Sequence, residues 1–205
     1  MSFLKLNDFG TRRALRAHGL VGKKRIGRGT YCAVYDDGED AVLKLTADYI
    51  QLESVQFYLD GVHFPRLMKI IGRVGIQDAG NADLYLFQAE RLKPTSKADA
   101  PTRKLAKRVI DTVQDCLLSK DAMSVWRSPG APADRQAKRS LTALKQLVDT
   151  PWFPESLKEA FEKLQTLSMD YGNLSLDFHR ANLMVRGSDE LVLNDVIASS
   201  SLGYS

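Results

Sequence analysis

The sequence has only two cysteines, Cys32 and Cys116, and no long hydrophobic run. Two cysteines do not make a disulfide framework, so the pattern favours a reducing cytoplasm. No Cys or His pair has the spacing of zinc ligands. No apolar run approaches the roughly 20 residues that span a bilayer, and the N-terminus lacks the apolar segment and cleavage site of a signal peptide. We therefore expect a cytoplasmic protein with no membrane partner.

The basic residues are concentrated near the N-terminus of a chain whose formal net charge is +4. Such a cluster can contact nucleic acid or another acidic partner, or it can be the solvated face of a helix and a strand. No aromatic residues interleave with it and no nucleic-acid-binding module accompanies it, so we do not expect nucleic acid as a partner. The cluster comprises Arg12, Arg13, Arg16, Lys23, Lys24, Arg25 and Arg28.

The chain divides by pattern into a strand-rich part over residues 1–90 and a helix-rich part over residues 91–205. The first part contains a short N-terminal helix at 10–18 and five runs typical of short strands, with one further helical stretch at 48–59 between the third and the fourth. A polar, proline-bearing connector follows. The second part contains three helical stretches and then a predicted hairpin. We therefore predict an α+β fold with a small antiparallel sheet lobe and a reduced helical lobe. The helical stretches cover 102–122, 134–148 and 154–169, and the hairpin covers 183–193.

Three features of the first part are typical of a phosphate-binding site. Gly27 and Gly29 lie between two predicted strands, where a backbone without Cβ atoms can approach a triphosphate, although such a pair is more often a simple turn. Lys44 lies within a hydrophobic strand and can contact phosphates, or it can be an edge-strand lysine that points to solvent. Glu53, on the next predicted helix, can orient Lys44 or be an ordinary exposed glutamate.

Two further features follow in the second part. Asp177 precedes Asn182 by five residues, and the predicted hairpin leads from Asn182 to Asp195. Hard oxygen donors of this kind suit Mg²⁺ that bridges phosphate oxygens. Each residue could separately be a turn former or a cap. Their spacing beside apolar strands favours one shared oxygen-rich site.

These five features occur in the order of the protein kinases: glycine-rich loop, strand lysine, helix glutamate, catalytic loop and metal aspartate. The stretch Asp-Phe-His-Arg-Ala-Asn-Leu-Met-Val at 177–185 most resembles the atypical small serine/threonine kinases of podoviral bacteriophages. Aminoglycoside phosphotransferase-like kinases also place a histidine two residues after the catalytic aspartate. The resemblance covers about residues 26–196 and implies a minimal protein kinase-like fold with two lobes that uses ATP and Mg²⁺.

The resemblance also implies a role for each site residue. Asp177 would accept or orient the proton of the attacking hydroxyl, and Asn182 and Asp195 would hold magnesium. Lys44 would position the phosphates, supported by Glu53. Rate enhancement would come from positioning and charge stabilisation rather than from covalent chemistry.

The remaining expectations concern the nucleotide and a histidine. His179 stands where typical kinases have a lysine near the transferring phosphate; it can neutralise developing charge or be a packing histidine. The strand at 83–90 resembles the last strand and hinge of the small lobe, so the backbone of 88–91 is a candidate adenine contact. The nucleotide-binding residues that the resemblance implies are Gly27, Gly29, Thr30, Val34, Lys44 and Glu90.

The sequence also departs from the kinase pattern. Cys32 replaces the third loop glycine, and Ser175 and Leu176 replace the His-Arg pair that usually precedes the catalytic aspartate. Without that arginine, we expect activity that needs no loop phosphorylation. The metal aspartate lacks its usual glycine partner, and only ten residues follow it, so we expect no activation segment. The serines at 199–205 suggest autophosphorylation.

Three functions remain open at this point. The first is a serine/threonine protein kinase of phage type that acts on host proteins, with the transcription or translation machinery as candidates. The second is a small-molecule kinase of the aminoglycoside phosphotransferase-like type, which His179 suggests. The third is a catalytically idle kinase-like protein that inhibits a host partner through its basic face. A binding module needs none of Lys44, Asp177, Asn182 and Asp195, which disfavours the third.

Overall fold

The chain folds into two compact units, which the computed structural model describes over residues 4–199. The first unit contains the described residues up to 56 and residues 66–91, and the second contains 57–65 and the described residues from 92 onwards. The sequence pattern placed 57–65 with the first part, whereas the structure places this segment in the second unit. The α+β class, with a small antiparallel sheet unit and a helical unit, is confirmed.

The first unit is a five-stranded antiparallel sheet with one helix before it and one helix inserted. The strand order is β1-β2-β3-β5-β4, so β3 is an interior strand between β2 and β5. The elements are α1 (Phe9–Ala17), β1 (Arg25–Arg28), β2 (Cys32–Asp36), β3 (Ala41–Thr46), α2 (Tyr49–Phe57), β4 (Leu67–Gln77) and β5 (Ala82–Glu90).

The two faces of this sheet bury different helices because strand side chains alternate between faces. One face packs against α1 and the segments beside it, through a cluster that includes Ala14, Leu43 and Leu45. The other face packs against α2, through a cluster that includes Leu52 and Phe87. The inserted helix therefore covers the face opposite to α1.

Asp8 fixes the start of α1 to the sheet. Its carboxylate accepts a hydrogen bond from Thr11 N (3.2 Å), which caps the helix, and from Asp78 N and Ala79 N (2.9 Å each) in the turn between β4 and β5. Desolvation acts to raise the pKa of Asp8, but the backbone hydrogen bonds outweigh it and lower the pKa below its usual value. One side chain thus serves as a helix cap and as a tie to a turn about 70 residues away.

The second unit combines four helices with two small sheets. Strands β8 and β9 form the predicted hairpin, with β6 beside β8, and β7 pairs with β10. The elements are β6 (Lys93–Pro94), α3 (Ala100–Leu117), α4 (Lys120–Arg127), α5 (Pro132–Val148), α6 (Glu155–Tyr171), β7 (Leu174–Leu176), β8 (Leu183–Arg186), β9 (Glu190–Leu193) and β10 (Ile197–Ser199).

The predicted helix at 102–122 is wrong as a single element, because the structure has two helices there. α3 ends at Leu117, and Ser119 begins the next helix as its N-cap, with its hydroxyl accepting from Ala122 N at 3.3 Å. Serine favours an N-cap because its side-chain oxygen satisfies an otherwise unpaired backbone N–H. The apolar spacing ran on across this break, so periodicity alone did not reveal it.

The segment 57–65 is anchored to the β8–β9 hairpin. The guanidinium of Arg186 donates to Val62 O (2.8 Å) and Phe64 O (2.9 Å), and Phe64 is almost fully buried. His63 pairs with the hairpin on both its backbone and its ring: Leu193 N donates to His63 O (2.7 Å), and the His63 Nδ1 lies 2.7 Å from Leu191 O. These bonds hold the segment beside the hairpin.

Over residues 4–199, the structure contains no helix that combines the length and apolarity needed to cross a membrane. The serines beyond Ser199 that suggested autophosphorylation lie outside the described residues.

Substitution of Gly10 tests the close packing of α1 on the sheet. A Cβ at this position would lie 2.0 Å from Ile76 O and 2.9 Å from an Asp78 carboxylate oxygen. Because the first of these atoms is backbone, the helix must shift, and we expect Gly10→Ala to lower the free energy of unfolding by about 1–3 kcal/mol. Urea denaturation followed by circular dichroism would measure it.

Gly27→Ala is the matched control, because its Cβ would make only an ordinary contact with Val34 at 3.4 Å. Equal losses of stability in the two variants would contradict the role given to the α1 contact.

Candidate active site

The register of the first unit's sheet places three predicted nucleotide-binding residues in one cross-strand row. Gly27 pairs with Val34, Val34 pairs with Lys44, and Lys44 pairs with Phe87. Lys44 is only 7% exposed, and its Nζ lies 5.8 Å from the centre of the Phe87 ring. Because β3 is an interior strand, Lys44 is not a solvent-pointing edge lysine. The row is a continuous surface of small, apolar and cationic side chains.

Glu53 lies half-buried on α2, the helix that covers the face of the sheet carrying Lys44. Leu52 and Val55, on either side of Glu53 in sequence, pack with Phe87 in the same cluster. The predicted pairing of Glu53 with Lys44 stays a prediction.

The glycine-rich loop is closed by its own backbone. Gly29 N donates to Cys32 O (2.9 Å), and a Cβ at Gly29 would lie 3.1 Å from the Cys32 sulfur. Thr30 is exposed, and its carbonyl accepts from Leu4 N at 3.1 Å. The loop is thus a tight turn in which a side chain at position 29 would be crowded, while Thr30 faces solvent.

The predicted hinge uses part of its backbone inside the first unit. Glu90 N donates to Arg66 O (3.0 Å), and Arg91 N donates to Asp40 O (2.8 Å). The Glu90 carboxylate accepts from Arg66 N at 2.8 Å. An adenine contact by this segment would therefore fall to backbone groups other than these two N–H groups.

In the second unit, the β7–β10 pairing brings the two predicted aspartate loops together. Asp177 follows β7 directly, Asp195 stands two residues before β10, and Asp177 N donates to Val196 O (2.8 Å). On the side of α5, the buried Ser140 hydroxyl accepts from Leu176 N at 3.0 Å. The backbone at Leu176 and Asp177 is therefore bonded both to the chain before β10 and to α5.

Asn182 connects the two loops with one side chain. Its Nδ2 donates to Asp177 O (2.8 Å) and Asp195 O (2.9 Å), and it lies 3.4 Å from an Asp177 carboxylate oxygen. Because two carbonyl groups can accept only from the amide nitrogen, they fix which end of the amide is oxygen. Within residues 4–199, Asn182 Oδ1 accepts no hydrogen bond. This oxygen can therefore take a further ligand.

Asp195 has a left-handed backbone, with φ of +54°. Aspartate and asparagine tolerate this region better than other residues with a Cβ, at a cost on the order of 1–3 kcal/mol. Asn194 Nδ2 lies 3.4 Å from an Asp195 carboxylate oxygen, and Asn194 N donates to Asn182 O at 2.8 Å. The unusual conformation directs the chain from β9 into β10 across the site.

His179 and Asp177 form the exposed side of this cluster. His179 Nε2 lies 3.6 Å from an Asp177 carboxylate oxygen, and both side chains are more than half exposed. A packing histidine would be buried, as the neighbouring Phe178 is against Phe161. The alternative of a packing histidine therefore does not hold for His179.

The donors of this cluster fit magnesium in chemical type. Asn182 Oδ1 and the Asp195 carboxylate are hard oxygen ligands, and magnesium usually takes only one or two carboxylates, with phosphate oxygens and water completing its shell. Over the part of the chain that the structure describes, no group of three His, Cys, Asp or Glu side chains forms a metal site by itself. A metal here would accordingly need oxygens from a bound phosphate compound.

Sequence reasoning missed the residues that support the site from behind. Ser140 and Arg186 gave no signal, because a serine in a helix and an arginine in a hairpin are ordinary. His63 stands between apolar neighbours, Val62 and Phe64, and such a histidine is a weak sign of burial. Ser140 bonds the end of β7, and His63 and Arg186 bond residues 62–64 to the hairpin, so all three support the elements that lead into the site.

The chain matches known proteins only among solved structures. No protein-family model matches the chain, and no curated protein matches it. The chain is similar to a crystal structure of aminoglycoside phosphotransferase APH(4)-Ia, with 12% identity, a TM-score of 0.36, and coverage of 93% of this chain and 74% of the other. It is also similar to a thermostable mutant of the same enzyme in its apo form, with 12% identity, a TM-score of 0.35, and coverage of 87% and 69%. Likeness at these TM-scores carries no argument about the activity of this chain.

Substitution of Asn182 tests its connecting role. Asn182→Ala removes two hydrogen bonds of about 1 kcal/mol each, so we expect a loss of about 2 kcal/mol in the free energy of unfolding. Asn182→Asp should cost at least as much, because it turns a carboxylate oxygen toward two carbonyl oxygens. Asn194→Ala, which removes a single long contact, serves as the control. An Asn182→Asp variant as stable as the wild type would refute this role.

The buried His63 predicts a pH dependence of stability. Burial lowers the pKa of His63, the hydrogen bond to Leu191 O partly opposes this, and the charge of Arg186 lowers the pKa while Glu159 raises it. Its folded pKa lies below the unfolded value of about 6.5, so the unfolded chain binds more protons. Stability from this group is fully present above about pH 6.5 and is lost as pH falls from that value through the lower folded pKa.

We expect the free energy of unfolding to fall between pH 7.5 and pH 5.5 by no more than about 1.4 kcal/mol per pH unit, the limit for one proton. His63→Gln should flatten this slope, since glutamine can still bond Leu191 O or Ser156 but does not titrate. Urea denaturation at each pH measures it. The same slope in both proteins would assign the pH dependence to other groups.

Proposed function

We propose that the protein is an ATP-dependent phosphotransferase that phosphorylates serine or threonine hydroxyls of other proteins. The observation that carries the proposal is the Asn182 amide, which joins the Asp177 and Asp195 loops through its nitrogen, while within residues 4–199 its oxygen accepts no hydrogen bond. A binding module would gain only stability from this arrangement. A phosphotransferase needs it, because a proton acceptor and a metal site must keep a fixed separation.

Asn182 and Asp195 would hold magnesium through Oδ1 and the carboxylate. When bound, magnesium and ATP supply the transferable phosphoryl group and a positive charge that neutralises the phosphate oxygens. The protein would contribute two oxygen donors: the Asn182 amide is oriented by two carbonyl groups, and Asp195 has a left-handed backbone conformation.

Asp177 is the residue placed to receive a proton. Its carboxylate is exposed, so an acceptor hydroxyl can reach it, while its backbone N–H and carbonyl are held by Val196 and Asn182. A carboxylate in this position orients the hydroxyl and takes its proton as the oxygen attacks. His179, 3.6 Å away, can place positive charge near the same point when protonated.

The first unit would supply the nucleotide contacts. The turn at Gly29 offers backbone without a Cβ, and Lys44 presents an ammonium group from a rigid interior strand. Gly27, Thr30, Val34 and Glu90 complete the proposed contacts, and Glu53 would support Lys44.

We propose further that the kinase is of phage type, that it works in the host cytoplasm, and that its substrates are host proteins, with the transcription or translation machinery as candidates. The support is the sequence of residues 177–185, which resembles that kinase group. The departures at Ser175 and Leu176 remove the usual partner of a loop phosphate, so activity should need no prior phosphorylation.

A second candidate is a kinase that acts on a small molecule, as the aminoglycoside phosphotransferases do. The exposed His179 beside Asp177 favours it, because that family also places a histidine two residues after the catalytic aspartate. The acceptor distinguishes the two candidates, and the nucleotide chemistry is the same in both.

Phosphate transfer from ATP labelled at the γ-position tests the proposal. Wild-type protein with Mg²⁺ should label proteins of a bacterial lysate, and Asp195→Asn should reduce the rate on the order of 10²–10³-fold, as expected when one electrostatic group of the site is removed. Asparagine is chosen because it tolerates the left-handed backbone at this position. An aminoglycoside mixture in place of lysate tests the second candidate.

Asp189→Asn is the matched control, since it makes the same chemical change in the turn of the hairpin that precedes Asp195 and leaves the site intact. Labelling that persists in Asp195→Asn would come from a contaminating kinase or from another mechanism. ATP binding without transfer to protein or small molecule would refute the enzyme and favour the idle binding protein.

A further inference from the structure

A groove runs along α4 in the second unit, and no residue assigned to the site lines it. Its volume is about 610 Å³, which is in the range of ligand-binding clefts. Four of the lining residues are spaced at i, i+3, i+4 and i+7 on α4 and therefore share one face of the helix. The lining residues are Leu118, Lys120, Met123, Ser124, Arg127 and Ser128.

The groove is cationic. Within residues 4–199, neither Lys120 nor Arg127 has a carboxylate partner, and both are exposed. The one carboxylate of α4, Asp121, does not line the groove. Two arginines of the neighbouring α5 are engaged elsewhere: Arg135 and Arg139 lie over the Trp126 ring, at 5.3 and 5.6 Å from its centre. The cations of the groove thus remain available to a ligand.

The groove also has two apolar lining residues. Leu118 is 65% exposed at the end of α3, and Met123 lies between Lys120 and Arg127 on the helix face. A methionine adapts to side chains of different shape. The opposite side of α4 packs inward, since Ala122 is fully buried, and Arg139 Nε holds the end of α3 by donating to Leu117 O at 3.0 Å. The lining thus combines two apolar side chains with two cations.

We propose that this groove binds an acidic segment of a protein substrate, with an apolar side chain against Leu118 and Met123 and carboxylates against Lys120 and Arg127. That the bound protein is a substrate rests on the proposed kinase function, whereas binding itself does not. Nucleic acid fits less well, because it is bound by many cations and by aromatic side chains that stack on bases, and neither is present in this lining.

The test is fluorescence anisotropy with a short fluorescein-labelled peptide that has one leucine flanked by glutamates. Wild type should bind it, and the double variant Lys120→Glu/Arg127→Glu should bind at least about tenfold more weakly, since it replaces two attractions with repulsions. Lys138→Glu/Lys145→Glu is the matched control. It makes the same charge change at two exposed positions of α5 outside the groove, and it should bind nearly as wild type does.

Leu118→Ser supplies a second variant. It replaces one of the two apolar lining residues at an exposed position and should also weaken binding. Equal binding by the wild type and the Lys120→Glu/Arg127→Glu variant would overturn the proposal, as would an equal loss in the α5 control. A single-stranded RNA oligonucleotide that binds more tightly than the peptide, and that loses affinity in the groove variant, would overturn it in favour of nucleic acid.

Two further measurements distinguish a failure of the groove proposal from a failure of the proposed kinase function. Asp195→Asn should keep full peptide affinity while it loses phosphate transfer. With a lysate protein as substrate, the groove variant should raise KM and leave kcat unchanged. Phosphate transfer without peptide binding would overturn the groove alone. Peptide binding without any transfer would overturn the kinase and leave the groove as the docking surface of a non-catalytic protein.

Discussion

The side-chain amide of Asn182 is the interaction on which the site depends. The backbone carbonyls of Asp177 and Asp195 belong to two separate loops, and the NH₂ group of Asn182 donates to both. Asp195 is half-buried, and a carbonyl there without a donor would cost free energy, so the Asn182 amide helps to hold the Asp195 loop beside the Asp177 loop. The same bonds decide which amide atom faces outward. The same side chain thus joins the two loops and orients the amide oxygen that is proposed to bind magnesium. A substitution of Asn182 would therefore change both.

The first unit has a comparable constraint at Lys44. Placing an ammonium group on an interior strand is costly unless its surroundings compensate for lost water, yet Lys44 is nearly buried between strands whose neighbouring positions carry Val34 and Phe87. The rigid sheet therefore defines where the ammonium group lies. A lysine on a loop would carry the same charge, but its ammonium group would have no fixed position.

How far the sequence predicts this structure depends on whether a feature is local. Alternation and helical spacing predict the strands of the first unit, the hairpin and most helix positions, because these follow from one stretch of chain. The break at Ser119 is local too, but the apolar spacing conceals it. The partners of Asn182 are invisible, since they are backbone carbonyls that only the β7–β10 pairing brings together, and those strands have three residues each. The resemblance at 177–185 indicates the site residues, while Ser140, His63 and Arg186 become visible only through their contacts.

The segment 57–65 has a consequence for handling the protein in pieces. A gene fragment that begins at residue 92 would lack Phe64, which is 1% exposed, and the His63 bonds to the hairpin. Such a fragment would expose a vacant apolar slot beside β9 and would tend to aggregate, however natural the cut looks in the sequence. Separate expression of the second unit calls for a rearranged chain, in which residues 57–65 are supplied through an added linker or as a free peptide. The unit is therefore continuous in space but discontinuous in its gene.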